Sequence, residues 1–404
     1  MRFRFFFFIM MFLYVFCQWV VGRFFLSLGL NPIGVYVYWF TSAAMVLWLN
    51  LSFRLGLKRP FRLFPVFFGQ FFFSVVISGQ IALGFLLQLM FSSPRGCLSC
   101  LRLNGTWPVV FLGLMVVFLV SFFYRLKGPF VRNITIEIPD MSDCLNGLRV
   151  VQLSDVHVGG FLFERDLLRL RETVLSLTPD LLLFTGDMID HSIEEVSRFS
   201  KIFGDVQGRY GRFLVMGNHE QWIGGQEVYS AFVGGGFDLL ENDSRAVSVK
   251  GADLRVVGLS DPAGKEVSPE GGPNPALAFS RIPEGNESLV IVMAHQPDVW
   301  KTLSAYHADL TLSGHTHGGQ IGMFRSGWNL ARLFHRLDIG LFKRSSNGRL
   351  QQLFIHGGVG YFGVPVRLGI RPEVVVLTLV NGNIQKESKD HTKFPATNPE
   401  DHAH

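Results

Sequence analysis

The first 130 residues of this chain contain no aspartate or glutamate, because all 32 acidic residues lie beyond them, whereas 11 of the 37 Lys and Arg lie within them. The formal net charge of +5 therefore comes from the front of the chain, and the remainder is acidic overall. Binding to nucleic acid requires basic residues clustered on the folded domain itself. No nucleic-acid partner is expected.

Cysteine is also scarce, and 17% of the residues are charged. The four cysteines, Cys17, Cys97, Cys100 and Cys144, are too few and too scattered for a secreted scaffold held by disulfides. Cys97 and Cys100 form a C-x-x-C, but no second pair or nearby histidine completes a metal site, so we interpret them as loop cysteines. With 48% apolar residues, the chain is not expected to be disordered as a whole.

Charged residues are missing from four long stretches of the front third, residues 5–22, 24–53, 63–94 and 103–124. Each reaches the roughly 18 apolar residues that indicate a membrane-spanning helix. We therefore predict an all-α membrane domain over residues 1–130 with about four transmembrane helices. Nine Lys and Arg flank these stretches on one side of the membrane and three on the other. The positive-inside rule then places the following domain in the cytoplasm.

The pattern changes at residue 131, and from there to 385 it predicts a layered α/β domain. Ile134, Ile136 and Ile138 alternate with polar residues, as in a half-buried strand. Strands are predicted over 148–154, 180–185, 212–216, 246–249, 254–259, 289–294, 310–313, 353–356 and 374–380, and helices over 166–177 and 193–203. Residues 261–286 predict a surface loop, and residues 386–404 a disordered tail.

Potential metal ligands follow the predicted strands at five places. They are Asp155 and His157 in Ser-Asp-Val-His, Asp187 in Thr-Gly-Asp, Asn218 in Gly-Asn-His-Glu, His295 in Ala-His-Gln-Pro, and His315 and His317 in Gly-His-Thr-His-Gly-Gly. Strand ends are where α/β sheets place ligands, and strand residues two apart face the same side. Imidazoles with two carboxylates and an amide oxygen suit two divalent ions such as Mn, Fe or Zn. Such a pair activates water beside a phosphoryl group, so the pattern predicts a dinuclear hydrolase.

The order of these motifs resembles the calcineurin-like metallophosphoesterase family over about residues 148–379. The resemblance implies a metallophosphoesterase-type β-sandwich flanked by helices and two divalent metal ions. It makes Asp155, His157, Asp187 and His317 ligands of one metal, and Asp187, Asn218, His295 and His315 ligands of the other, with Asp187 as the bridge. It makes His219 a catalytic imidazole beside the phosphate, oriented by Asp190.

Two segments bear on how far the resemblance extends. The family often continues Gly-Asp-x-x-Asp with arginine, whereas this chain has His191, so a phosphate-clamping arginine is not implied there. Residues 357–373 resemble the C-terminal part of a bacterial, often membrane-attached branch. With the positive-inside count, the expected location is a bacterial inner (plasma) membrane with the catalytic domain cytoplasmic. Within that segment, Arg367 could bind substrate or could be a solvated or paired arginine at a strand end.

Several other side chains near the motifs have two interpretations. Glu220 could act as an acid or base, or could fix its loop by hydrogen bonding. Four aromatic residues after the Asn-His motif could form an apolar wall over the metals or pack in the core, namely Trp222, Tyr229, Phe232 and Phe237. Histidines outside the motifs are interpreted as ordinary surface or core residues, namely His191, His307, His335 and His356.

The combined prediction is a membrane-anchored phosphoesterase that hydrolyses a phosphodiester or pyrophosphate bond by attack of a metal-bridging hydroxide. The membrane domain favours a lipid-linked substrate, and the branch includes enzymes that resemble UDP-diacylglucosamine pyrophosphatases. Two alternatives stay open. One is a broad-specificity phosphomonoesterase or phosphodiesterase merely tethered to the membrane, and the other is a non-catalytic membrane sensor. The complete ligand set argues against the sensor.

Overall fold

The computed structural model describes residues 15–19, 21–23, 26, 31–37, 39–40, 42–44, 128–280, 288–323, 327–363 and 366–382. Within these ranges, no helix combines the length and the apolar character needed to cross a membrane. The predicted spans over 5–22 and 24–53 are described only in part. Those over 63–94 and 103–124, the Cys97 and Cys100 pair and the predicted tail lie outside the described residues. The chain divides into two units, Met1–Leu119 and Val120–His404, and all elements below belong to the second.

The first of two sheets contains the early strands of this unit and its last strand. They are β1 (Phe130–Ile138), β2 (Leu148–Leu153), β3 (Leu181–Thr185), β4 (Gly211–Val215), β5 (Asp238–Leu239) and β12 (Glu373–Asn381). Their spatial order is β1-β12-β2-β3-β4-β5. The β12/β2 pair is antiparallel, and the other neighbouring pairs are parallel.

The second sheet contains β6 (Asp243–Val249), β7 (Ala252–Gly258), β8 (Leu289–Met293), β9 (Leu310–Ser313), β10 (Gly340–Ser346) and β11 (Arg349–Ile355). Its order is β10-β11-β9-β8-β7-β6. Antiparallel hairpins, β6/β7 and β10/β11, form its two edges, and the pairs between them are parallel. Both sheets are therefore mixed.

Apolar side chains bury the facing surfaces of the two sheets against each other. Val150 and Leu181 from the first sheet belong to the same buried cluster as Leu254 and Ile291 from the second. Burying one such side chain stabilises the fold by about 1.5–3 kcal/mol. A second cluster joins the outer face of the first sheet to helices, and a third covers the outer face of the second sheet. The result is an α/β sandwich with helices outside and two sheets inside, as expected from the sequence.

The helices over the first sheet are α1 (Glu164–Ser176), α2 (Glu194–Phe203) and α3 (Asn218–Gly234). In α1, Leu167, Leu170 and Val174 are buried at the spacing of one helix face. The sequence predicted α1 and α2 but not α3, which begins with polar site residues and is interrupted at Gly224, where φ is 147°. Two short helices, α4 (Gly264–Val267) and α5 (Pro275–Ser280), lie in the segment predicted as a loop. The strands β5 and β10 were also not predicted.

Candidate metal centre

Five loops at the ends of strands carry the predicted ligands. They follow β2, β3 and β4 in the first sheet and β8 and β9 in the second. Because the strands within each of these sets are parallel, their carboxyl ends share one edge of each sheet. The seven side chains come together there, namely Asp155, His157, Asp187, Asn218, His295, His315 and His317. His315 is half-buried, and the others are buried.

One group consists of Asp155, His157 and His317, whose ligand atoms lie within 4.8 Å of one another. His317 Nε2 is 3.1 Å from His157 Nε2 and 3.2 Å from Asp155 Oδ1. Two imidazole nitrogens that converge with a carboxylate oxygen are a typical donor set for a divalent cation. These are three of the four residues predicted around the first metal.

A second group consists of Asp187, His295 and His315, again within 4.8 Å. His295 Nε2 is 3.2 Å from Asp187 Oδ2. The amide of Asn218 joins this group, because its Oδ1 is 2.8 Å from His315 Nδ1. These four residues are the set predicted around the second metal.

Asp187 lies between the two groups. Its Oδ2 is 3.2 Å from His295 Nε2 in the second group and 3.8 Å from His157 Nε2 in the first. Its Oδ1 accepts the backbone N–H of His219 at 3.0 Å. Gly217 allows this approach, because a Cβ there would lie 2.2 Å from Asp187 Oδ1. Burial opposes ionisation, but the neighbouring histidines hold the pKa of Asp187 well below its usual range.

The outer hydrogen bonds of two histidines prepare them to bind cations. His157 Nδ1 is 3.1 Å from Asp190 Oδ1, and His295 Nδ1 is 2.8 Å from the carbonyl oxygen of Thr185. An N–H at each Nδ1 leaves the Nε2 lone pair directed at the carboxylates of the centre. Among the described residues, the buried His295 Nε2 has no hydrogen-bond partner. A buried ring nitrogen that lies 3.2 Å from the Asp187 carboxylate without a hydrogen bond to it fits a metal ligand.

His219 and Asp190 form a separate pair beside the predicted ligands. His219 Nδ1 is 2.9 Å from the backbone oxygen of Asp190 and 3.2 Å from its Oδ1. Burial opposes protonation, but Asp187 and Asp190 raise the pKa of His219 to about 10. The same Asp190 carboxylate contacts His191 Nε2 at 2.8 Å. Asp190 thus contacts His157, His191 and His219, whose bonds hold its pKa well below the usual range despite burial.

Glu220 is buried and ties two site loops together. Its carboxylate accepts the backbone N–H groups of Gly217, Asp187, Met188 and Ile189 at distances of 2.7–3.0 Å. Four donors around one carboxylate match the loop-fixing interpretation. Burial, followed by the charge of Asp187, raises the pKa of Glu220, whereas these hydrogen bonds act in the opposite direction.

Five of the predicted ligands have left-handed backbone: Asp155 (φ 55°), His157 (49°), Asp187 (56°), His315 (71°) and His317 (51°). This conformation costs non-glycine residues about 1–3 kcal/mol each and concentrates at functional sites. It also corrects one step of the sequence argument. Asp155 and His157 lie beyond the end of β2, so strand alternation does not bring them together. The sharply turned loop does.

Arg367 is buried and paired rather than solvated. Its guanidinium donates to the carbonyl oxygens of Gly357 and Gly360, each at 2.6 Å, and its Nη2 lies 2.9 Å from His317 Nδ1. Burial lowers the pKa of His317 to about 4, and the charge of Arg367 acts in the same direction. Arg367 therefore helps to hold the ring of His317 in place. A role in substrate binding stays a prediction.

The aromatic residues considered as an apolar wall separate into two classes. Phe232 and Phe237 are buried in the cluster under α2 and α3, with Tyr229 packed against it. Trp222 is exposed, and its ring lies 5.4 Å from that of His219. Only Trp222 therefore stands beside the site.

Two further rings adjoin the site without having been singled out by sequence reasoning. Phe362 is exposed, and its ring lies 5.6 Å from His219 and 6.1 Å from His317. His335, interpreted from sequence as an ordinary histidine, has its ring 5.9 Å from that of His315. Both residues lie beyond the last ligand motif in the chain, and no sequence pattern connects them to it. Only tertiary contacts reveal that they lie beside the site.

Comparison with known proteins agrees with this geometry. A model of the family described as Calcineurin-like phosphoesterase matches residues 148–319. An uncharacterized metallophosphoesterase of Campylobacter jejuni is 29% identical over 299 residues, 73% of this chain and 74% of that protein. One from Helicobacter pylori is 30% identical over 274 residues, 68% of this chain and 70% of that protein. A Danio rerio protein named transmembrane protein with metallophosphoesterase domain is 26% identical over 294 residues, 68% of this chain and 64% of that protein.

Proposed function

The chain belongs to the calcineurin-like phosphoesterase family and is a metal-dependent phosphoester hydrolase, and on that premise we propose that it cleaves a phosphodiester or pyrophosphate bond with two divalent cations. One observation carries the proposal. Two groups of converging ligand atoms from five loops share the neighbourhood of a single carboxylate, Asp187. Two groups with a common member suit a pair of ions better than a single tetrahedral one.

The residues divide between the two proposed ions. Asp155, His157, Asp187 and His317 would hold the first, and Asp187, Asn218, His295 and His315 the second. Manganese, iron or zinc suits this mixture of imidazole and oxygen ligands. When bound, the pair would supply activated water and neutralise charge on the phosphoryl oxygens.

His219 would protonate the departing oxygen. Its Nδ1 is held by Asp190, which leaves Nε2 as the nitrogen that meets substrate. The contacts of Nδ1 with Asp190 favour the protonated imidazole, which a general acid needs. Asp190 orients the ring and stabilises its positive charge, so both residues act in one step.

Elemental analysis of active, detergent-purified full-length chain tests the metal proposal. We expect about two equivalents of divalent metal per chain and loss of activity after chelation, with recovery on adding manganese. One equivalent in fully active protein, or activity that survives chelation, would refute the proposed pair. Protein that binds two metals yet hydrolyses no phosphomonoester, diester or pyrophosphate would instead support the sensor hypothesis.

For the substrate, we propose a lipid-linked phosphodiester or pyrophosphate, of which UDP-diacylglucosamine is an example, met at the cytoplasmic face of a bacterial inner membrane. Residues 1–130 would anchor the enzyme through the predicted spans. Support comes from relatives in Danio rerio and Bos taurus that are both named transmembrane proteins with a metallophosphoesterase domain.

A competition between substrate classes tests this choice. The full-length enzyme with manganese is assayed against a nucleotide-linked lipid, a chromogenic diester and a chromogenic monoester. A higher kcat/KM for the lipid by orders of magnitude would support the proposal. Equal values on all three would indicate the tethered enzyme of broad specificity.

A further inference from the structure

Glu195 is a buried carboxylate that the mechanism above does not use. It lies in the first turn of α2 and is 9% exposed. Its Oε2 accepts the backbone N–H groups of Asp190 and His191, each at 2.9 Å. Burying an ionisable group is costly unless hydrogen bonds offset the cost. The two donors that offset it here belong to the residue that orients His219 and to its neighbour.

The backbone around Glu195 makes room for its carboxylate. A Cβ at Gly159, in the loop after β2, would collide with Glu195 Oε1, and φ is 101° there, in the region that favours glycine. The same loop joins the loop after β3, because Asp190 N–H also donates to the carbonyl oxygen of Val158 at 3.1 Å. Glu195 is therefore enclosed where two of the ligand-bearing loops meet.

A single peptide group connects Glu195 with His219. It is the amide between Asp190 and His191, whose N–H donates to Glu195 Oε2 at 2.9 Å and whose carbonyl oxygen lies 2.9 Å from His219 Nδ1. Since a carbonyl oxygen only accepts, Nδ1 carries the hydrogen of that bond. A peptide group is planar, and in its usual trans form its N–H and C=O point in opposite directions. Anchoring the N–H therefore sets the direction of the carbonyl that holds His219.

The same peptide group can transmit charge as well as direction. Hydrogen bonds in series polarise one another in a protein interior. A carboxylate at the N–H end draws electron density toward the carbonyl oxygen, which becomes a stronger acceptor for the Nδ1 hydrogen of His219. The Asp190 carboxylate contacts the same nitrogen at 3.2 Å. His219 is thus held by two oxygens of Asp190, and Glu195 acts on one of them.

We propose that Glu195 is a positioning residue for His219: through the peptide group between Asp190 and His191, it fixes the direction of the imidazole and strengthens the hydrogen bond at Nδ1. The catalytic consequence rests on the proposed function, in which His219 gives a proton to the departing oxygen. The hydrogen-bonded connection does not rest on it and can be measured without catalysis.

Glu195→Gln tests the connection, because the amide keeps the shape of the side chain and one acceptor oxygen but removes the negative charge. Glu194→Gln, at the exposed neighbouring position on α2, is the matched control. Hydrogen–deuterium exchange of the full-length chain in detergent is followed at the His191 N–H. We expect several-fold faster exchange in Glu195→Gln, since a neutral acceptor holds the N–H less tightly, and no change in Glu194→Gln. Unchanged exchange in Glu195→Gln would overturn the connection.

Activity distinguishes positioning from simple structural support. An alkyl leaving group needs a proton, whereas a nitrophenolate departs without one. The kcat of Glu195→Gln should fall about tenfold for an alkyl diester, part of the contribution of a general acid, and much less for a nitrophenyl diester. Metal content should equal that of the unmodified chain. Equal losses on the two diesters, or loss of metal, would overturn the positioning role.

A double variant tests whether Glu195 acts through His219. Once His219→Asn has removed the acid, adding Glu195→Gln should cause no further loss on the alkyl diester. The same tenfold loss in both backgrounds would show that Glu195 acts elsewhere and would overturn the inference.

His219→Asn alone separates this inference from the proposed function. If His219→Asn lowers kcat equally on both diesters, or if the unmodified enzyme cleaves neither, the proposed function fails, while exchange at His191 still decides the connection. If His219→Asn discriminates between the diesters and Glu195→Gln does not, the positioning role alone is refuted.

Discussion

The carboxylate of Glu220 accepts the backbone N–H of Asp187 at 2.9 Å, so the first turn of α3 determines where the loop after β3 lies. The same carboxylate accepts from Met188 at 2.7 Å and from Gly217 at 2.7 Å. Asp187 is the residue proposed to serve both metals. The position of the shared carboxylate therefore depends on a buried charge that binds no metal itself.

Replacing Glu220 with glutamine should destabilise the domain and weaken metal binding. The amide places an NH2 group among backbone N–H donors, so buried donors lose their acceptor. This lowers the free energy of unfolding by about 1–3 kcal/mol. Thermal unfolding in detergent should show a lower melting temperature, and metal titration a higher Kd. Glu227→Gln, an exposed position on the same helix, should change neither. Equal behaviour of the two variants would contradict the role given to Glu220.

Removal of Asp187 and removal of His219 should have different effects on metal content. Asp187→Ala should lose both ions, because the carboxylate contacts members of both groups. His219→Asn should retain them and lose turnover instead. Inductively coupled plasma mass spectrometry on the purified variants measures this directly, and equal metal loss in both would contradict the division of roles.

The effect of His219→Asn should depend on the leaving group. A general acid contributes about 10²- to 10⁴-fold to the rate, but a nitrophenolate departs without protonation. The kcat for an alkyl diester should therefore fall much more than the kcat for a nitrophenyl diester. His307→Asn, which removes a histidine paired with Asp309 away from the centre, is the control. Similar losses on the two substrates would argue against proton donation by His219.

Asp261 should make stability depend on pH in metal-free protein. It is buried, its Oδ1 accepts from Ala263 N–H at 2.8 Å and from Gln296 at 2.9 Å, and burial raises its pKa to about 6. Because the folded-state pKa lies above the unfolded value, its stabilising contribution is complete below about pH 4 and is lost as the pH rises through about 6.

Asp261→Asn should therefore be more stable than the unmodified chain at pH 8, by up to about 3 kcal/mol, and no more stable near pH 4. Unfolding of chelator-treated protein at the two pH values measures the difference. Asp253→Asn, at an exposed position in β7, should be neutral at both. A gain that is the same at pH 4 and pH 8 would show that the charge of Asp261 is not its cause.

Much of the fold could be predicted because local pattern and tertiary role agree. The apolar residues alternate in β1 and recur at helical spacing in α1, so each element buries one face against the sandwich. Both elements were predicted to within a few residues. The helix α3 was not predicted. Its first turn contains the polar site residues Asn218 and His219, so it lacks the apolar spacing that indicates a helix. The four predicted spans, over 5–22, 24–53, 63–94 and 103–124, stay predictions.

The amino-acid sequence by itself determined the kinds of metal-binding groups and their order along the chain, since an imidazole or a carboxylate keeps its chemistry wherever the backbone carries it. Only the tertiary structure decided that Asp187 lies between the two groups, that Glu220 fixes its loop, and that Arg367 contacts His317. These relations depend on distances of a few ångströms between loops that are far apart in the chain. No local pattern encodes such distances, because they depend on how the two sheets pack and on how the five ligand-bearing loops turn.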